Sequence, residues 1–129
     1  MKDLKKTLHI KVPREMVFNA ITNSLTIELW SGYEARMEGV PGTEFSMYEG
    51  DITGRIRTFT PPVLLEQVWD FGDQEDESLV RIELFDEPGK TRLELIHTNI
   101  PDEAFENIKE GWRDSFLRAL KSYLEDDRL

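Results

Sequence analysis

The feature that most constrains the fold is a stripe of apolar residues near the carboxyl end of the chain. Its members recur at helical intervals and are Phe105, Ile108, Trp112, Phe116, Ala119, Leu120 and Tyr123. This spacing predicts an amphipathic helix over residues 102 to about 125, with Asp102 as its N-terminal cap. A helix of about 24 residues is roughly 36 Å long, so it can cross a whole sheet and its apolar face must be covered.

The middle of the chain alternates apolar and polar residues in the manner of strands. Turn residues between positions 32 and 99 separate six such segments, which we predict at 33–37, 44–48, 51–59, 64–71, 79–85 and 91–98. The last two carry apolar rows, formed by Val80, Ile82 and Leu84 and by Leu93, Leu95 and His97. These rows are the natural cover for the helix.

One strand and two short helices are predicted before this alternation begins. Leu8, Ile10 and Val12 form the strand, and Pro13 ends it because proline lacks the N–H that a strand ladder needs. Apolar residues then recur at helical spacing, at Met16, Val17, Ala20 and Ile21 and, after a polar cluster at 22–24, at Leu25, Ile27, Leu29 and Trp30. The order of elements predicts one α+β domain over residues 1–129, a curved antiparallel sheet of six to seven strands around the long C-terminal helix.

Composition excludes several classes of function. The chain has no cysteine, which removes disulfides, thiol nucleophiles and cysteine-ligated metals and fits a reducing, cytoplasmic location. Its 26 acidic and 16 basic residues give a net charge of -10, which repels nucleic acid and anionic membrane surfaces. No apolar run approaches the roughly 20 residues of a membrane span. We therefore expect neither nucleic acid nor a membrane as a partner.

Several short motifs, in order along the chain, resemble a known family. They are GTEF at 42–45, GDITG at 50–54, PPVLLEQVW at 61–69, HTNIP at 97–101, EGW at 110–112 and LKSYL at 120–124. Together they resemble the branch of the START-like (SRPBCC, Bet v 1-like) superfamily named for the activator of heat shock protein 90 ATPase. The resemblance covers essentially the whole chain, although Glu49 and Asp70 stand where the family often has glycine and arginine.

The resemblance implies a helix-grip fold with a cavity under the long helix. The function that it favours is non-enzymatic binding of an apolar or amphipathic small molecule, by a monomer or weak dimer. Two alternatives remain: an accessory protein of a chaperone in the stress response, and a cyclase-like or hydratase-like enzyme that uses His97. The full-length co-chaperone has a separate amino-terminal domain, for which 129 residues leave no room, so we do not expect the ATPase-activating role to transfer.

The predicted ligand site lies where the apolar rows of the sheet face the helix stripe. Its residues are Trp69, Ile82, Leu95, His97, Trp112 and Phe116. His97 would orient the polar group of the ligand, although a histidine that ends a strand before a proline turn usually bonds a backbone group instead. We assign no catalytic residue, metal ligand or cofactor. The acidic run Asp73, Glu75, Asp76 and Glu77 lacks the order of a calcium loop and predicts a solvated hairpin tip.

Overall fold

Six strands form one antiparallel sheet in the computed structural model, which describes residues 1–72, 74 and 76–126. The strands are β1 (Lys2–Ile10), β2 (Glu44–Met47), β3 (Ile52–Thr60), β4 (Leu64–Trp69), β5 (Ser78–Glu87) and β6 (Lys90–Ile100). Their order across the sheet is β1-β6-β5-β4-β3-β2, so that β1 and β2 are the edges. Two helices, α1 (Arg14–Thr22) and α2 (Ser24–Ser31), follow β1. The predicted α+β fold is confirmed.

The register of β5 and β6 explains why one face of the sheet is buried. Val80 pairs with His97, Ile82 with Leu95 and Leu84 with Leu93, and all six side chains are buried. Since successive residues of a strand point to opposite faces, the residues between them form the other face. We call the buried side the inner face and the opposite side the outer face.

The C-terminal helix runs over residues 102–124, close to its predicted bounds. It consists of a 3₁₀ turn (Asp102–Ala104), α3 (Phe105–Glu110), a π-helical segment (Gly111–Arg118) and α4 (Ala119–Leu124). Trp112, Phe116 and Leu120 are buried, as the stripe predicts. The π-helical segment is not visible in the sequence pattern, and its i→i+5 bonding widens the helix where the two aromatic residues lie.

The first elements differ in detail from the prediction. β1 begins at Lys2 and ends at Ile10, so that Leu4 joins Ile10 on the inner face and Val12 lies beyond the strand. In the two helices after it, Met16 and Leu29 are exposed. The apolar spacing therefore identified the helices correctly but overestimated how much of each helix is covered.

The predicted strand at 33–37 does not form. Only Arg36 makes a bridge, to Ser46 of β2. The backbone N–H of Met37 instead donates to the Ser24 hydroxyl at 2.8 Å, and the N–H of Ala35 donates to the Glu28 carboxylate at 3.2 Å. Because α2 accepts these two N–H groups, the pairing of the segment with β2 is limited to the bridge at Arg36.

The outer face carries charged side chains. Arg81 contacts Glu66 on the neighbouring strand β4 at 2.9 Å and Glu83 on its own strand at 3.3 Å, and Arg57 is exposed. Asp73 and Glu75 of the acidic run lie outside the described residues.

Within residues 1–72, 74 and 76–126, no helix combines the length and the apolar character needed to cross a membrane.

We expect Leu120→Ala to lower the free energy of unfolding by about 2 to 5 kcal/mol, the usual cost of emptying a buried leucine site. Leu120 is fully buried, whereas Leu29 is 63% exposed. Leu29→Ala is therefore the matched control, with an expected change within about 0.5 kcal/mol. Urea unfolding followed by tryptophan fluorescence measures both. Equal losses in the two variants would contradict the packing described here.

Candidate functional site

A cluster of aromatic rings joins the C-terminal helix to the sheet. The rings of Trp69 on β4 and Trp112 stack with centroids 5.1 Å apart, and Phe116 meets Trp112 edge-on at 4.7 Å. His97 on β6 lies against Trp69 at 4.8 Å. Alternation along β4 turns Trp69 inward, and the helix stripe presents the other two rings to it. Contacts of this geometry stabilise by about 0.5 to 1.5 kcal/mol beyond the area that they bury.

His97 is hydrogen-bonded at both ring nitrogens. The indole Nε1–H of Trp112 donates to Nδ1 at 3.0 Å, and Nε2 lies 2.8 Å from the Ser78 hydroxyl oxygen. An indole can only donate, so Nδ1 must be the unprotonated nitrogen and Nε2 carries the proton. The Ser78 hydroxyl oxygen accepts a hydrogen bond from Nε2–H, and the hydroxyl donates a hydrogen bond to the backbone carbonyl of Thr98 at 3.1 Å. The partners of the ring are thus side chains, not the backbone group expected from the sequence.

Burial lowers the pKa of His97 to about 4, against a smaller upward effect of the Asp3 carboxylate. The ring has no exposed surface, and a second proton would leave Nδ1 and the indole as two donors facing each other. His97 is therefore neutral near pH 7. With both nitrogens occupied, it has none free to exchange a proton with a substrate.

Beside this cluster lies a cavity of about 600 Å³ between the helix and the β2–β3 end of the sheet. Its apolar wall is formed by Ile52, Trp69, Ile108, Trp112, Phe116 and Ala119. Its polar lining comes from Ser31, Tyr33, Tyr48, Glu49, Asp51, Asn107 and Ser115. We call this the aromatic cavity. Its size and its aromatic wall are typical of ligand pockets.

A strained turn forms the mouth of the aromatic cavity. Tyr48 and Glu49 have φ angles of 54° and 57°, a left-handed conformation that costs non-glycine residues roughly 1 to 3 kcal/mol each. The Tyr48 hydroxyl donates to the Ser115 carbonyl at 2.6 Å, within the π-helical segment, and burial raises its pKa. This bond ties the turn to the helix across the opening.

The structure places the six predicted site residues at two depths. Trp69, Trp112 and Phe116 line the aromatic cavity. Ile82, Leu95 and His97 are buried in the inner face and do not line it. A ligand in the cavity would touch the first three, and their role in binding stays a prediction.

The sequence analysis did not identify the residues of the mouth. Tyr48, Glu49 and Asp51 belong to a segment predicted only as the end of one strand, a turn and the start of the next. The one available signal was Glu49-Gly50 as a turn, and it does not reveal that the left-handed conformation extends back to Tyr48. Tyr48 reaches the helix because of that conformation.

A larger groove, of about 1020 Å³, lies beside the outer side chains of β2, β3 and β4. Its lining is rich in charge and includes Arg36, Glu44, Asp70 and the ion pair of Arg55 with Glu77. Ligand pockets usually contain few charged side chains, and two line the aromatic cavity. We therefore place the candidate site in the aromatic cavity, despite its smaller volume.

Comparison with known proteins gives consistent results. A family model described as "Activator of Hsp90 ATPase homolog 1-like protein" matches residues 11–125. The chain is 30% identical over 128 residues to the activator of 90 kDa heat shock protein ATPase homolog of Dictyostelium discoideum, with 93% of this chain covered. The match covers 33% of that relative, so the chain spans about a third of its length.

Two solved structures share the fold. A crystal structure described as an HSP90 activator from Plasmodium falciparum superposes with a TM-score of 0.87 at 30% identity, and 95% of each chain is covered. The solution structure of an Aha1 dimer from Colwellia psychrerythraea gives a TM-score of 0.85 at 18% identity, with both chains fully covered at 100%. At this lower identity the second comparison concerns the fold alone.

We expect acid to destabilise the protein through His97. Its pKa is about 4 in the fold, against an ordinary value of 6.5, so the folded chain binds fewer protons than the unfolded chain between these values. The contribution of neutral His97 to the free energy of unfolding is fully present above about pH 6.5. It is lost as the pH falls towards 4, in total roughly 3 kcal/mol.

The control is His97→Gln, whose amide can accept from Trp112 and donate to Ser78 but does not titrate. Urea unfolding of both proteins between pH 7.5 and 4 separates the effect of His97 protonation from that of carboxylate protonation, because both proteins contain the same carboxylates. As the pH falls, the free energy of unfolding should decrease more steeply for wild type than for His97→Gln. Parallel plots of this free energy against pH would show that protonation of His97 does not destabilise the fold.

Proposed function

The chain belongs to the family of activator of Hsp90 ATPase homolog 1-like proteins, and from that membership we propose that it binds a chaperone of the Hsp90 type as an accessory protein. The observation that carries the proposal is the match to the Plasmodium falciparum HSP90 activator, in which 95% of both chains superpose at 30% identity. The similarity therefore extends over a protein chain of comparable length and is not limited to a shared motif.

The outer face of the sheet is the surface that best fits such a partner. In the described residues, the C-terminal helix packs on the inner face, and outer residues such as Leu79 and Ile96 remain partly accessible. Around Ile96 lie Arg81 on one neighbouring strand and Lys5 on the other. A partly apolar centre with arginine and other charges around it is common at protein interfaces.

We expect the purified chain to bind a purified Hsp90-type chaperone and Ile96→Glu to weaken binding about tenfold or more. The introduced carboxylate lies between Lys5 and Arg81, so the fold should tolerate it, while the apolar centre of the interface is lost. Met16→Glu, on the exposed surface of α1, is the control and should bind as wild type. Isothermal titration calorimetry measures the affinities.

The same preparation tests activity. Because the chain spans 33% of its Dictyostelium discoideum relative, we expect it to raise the chaperone's ATPase rate less than a full-length activator does in a coupled assay at equal concentration. Absence of binding would reject the proposed function. Loss of binding in Met16→Glu but not in Ile96→Glu would place the interface on the helices.

A second candidate function is supported by the aromatic cavity itself. We propose that it binds a small molecule with an apolar body, with Trp69, Trp112 and Phe116 as its contacts. Its volume of about 600 Å³ lies within the range of roughly 300 to 1,000 Å³ usual for small-molecule sites. The polar end of a ligand would meet Tyr48, Glu49 or Asn107, since His97 lies deeper.

A thermal-shift screen of fatty acids, amines, aromatic compounds and isoprenoids tests this second function. A ligand at about 100 times its dissociation constant adds roughly 2.7 kcal/mol of stability, which corresponds to a rise in Tm of about 10 °C. Ala119→Phe should reduce the shift because Ala119 lines the cavity. Arg118→Phe, on the adjacent residue with its side chain 70% exposed, should not. A saturable shift that Ala119→Phe leaves unchanged would place the ligand elsewhere.

A further inference from the structure

The lining of the aromatic cavity carries charge of only one sign. Glu49 and Asp51 are the two charged residues that line it among the described residues, and no lysine or arginine does. Within the part of the chain that the structure describes, neither carboxylate forms an ion pair or a side-chain hydrogen bond. The whole chain adds to this field with a net charge of -10. An anionic ligand would therefore be repelled at the mouth.

Aromatic rings line the same cavity as these carboxylates. Tyr33 and Tyr48 pair at the mouth with centroids 5.9 Å apart, and Trp69, Trp112 and Phe116 form the wall behind them. The face of an aromatic ring attracts a cation, and tryptophan and tyrosine do so more strongly than phenylalanine. The carboxylates and the accessible rings of Tyr33 and Tyr48 at the opening are two independent sources of attraction for the same sign of charge.

We propose that the ligand of the aromatic cavity is an organic cation, an amine or a quaternary ammonium compound with an aryl or alkyl body. This inference rests on the small-molecule function proposed above and specifies its ligand class. The hydrocarbon body contacts Trp69, Trp112 and Phe116, and the charged nitrogen lies near Tyr33, Tyr48 and the carboxylates of Glu49 and Asp51. A neutral ligand of the same shape would gain the apolar contacts alone.

A matched series of three probes tests the sign of the charge. The probes are phenethyltrimethylammonium, its neutral carbon isostere 3,3-dimethylbutylbenzene, and the anion 3-phenylpropionate. Quenching of tryptophan fluorescence reports binding, because Trp69 and Trp112 line the cavity. We expect the cation to bind about tenfold tighter than the neutral isostere at low salt, with this preference reduced as salt is added, and the anion to bind most weakly.

Charge-removing variants assign the preference to the mouth. Glu49→Gln combined with Asp51→Asn should weaken binding of the cation several-fold and leave that of the neutral isostere unchanged. The control is Glu15→Gln combined with Glu103→Gln, which removes the same net charge from exposed positions outside the cavity. Its affinity for the cation should remain close to that of wild type.

The outcomes separate this inference from the function on which it rests. If the neutral isostere or the anion binds as tightly as the cation, the cavity is a ligand site and the inference about charge is wrong. If none of the three binds and the wider screen also fails, both are wrong. If Glu15→Gln with Glu103→Gln removes the cation preference as fully as Glu49→Gln with Asp51→Asn does, the preference reflects the overall charge of the protein. That result would also overturn the assignment to the mouth.

Discussion

The hydrogen bond from Trp112 to His97 is the constraint on which the rest of the structure depends. It joins the C-terminal helix to the middle of the sheet at 3.0 Å, in a position where neither ring has more than 2% of its surface exposed. The indole fixes the tautomer of the imidazole, and the imidazole in turn requires the Ser78 hydroxyl as its acceptor. Removing any one of the three leaves a buried polar group without a partner, at a cost of about 1 to 3 kcal/mol.

The same bond determines where a cavity can exist. By drawing Trp112 down onto His97 and Trp69, it fills the space over these two side chains with an aromatic ring. The space that remains open lies towards the β2–β3 edge, where the left-handed Tyr48 reaches across to the π-helical segment. The aromatic residues therefore have two roles, because they form the core on one side and the cavity wall on the other.

The sequence predicted the features that follow from simple periodicity. Alternation placed Val80 and Leu93 on the inner face, and the helix stripe predicted that Trp112 and Phe116 are buried. The fold therefore follows from apolar spacing, and three of the six predicted site residues line the aromatic cavity. The predicted strand at 33–37 was wrong because the backbone N–H groups of Ala35 and Met37 donate to side chains of α2 and not to a neighbouring strand. The turn at Tyr48 could not be predicted, since a positive φ at a tyrosine is unfavourable locally and is sustained only by tertiary contacts.

The two proposed functions use opposite faces of the sheet. The outer-face residue Ile96 lies on β6, whereas Trp69 lines the aromatic cavity from β4, so a chaperone on the outside and a ligand inside would not compete for the same atoms. Trp69 provides the connection, because it lines the cavity while its strand carries Glu66 on the outer face. Any coupling between partner and ligand must pass through the packing of the sheet, and such coupling requires that one arrangement of the sheet be favoured by both.

The densely bonded cluster at His97 leaves little freedom for rearrangement, whereas the turn at Tyr48 is strained already. That turn is therefore the part of the structure where a ligand could change the shape of the domain at least cost.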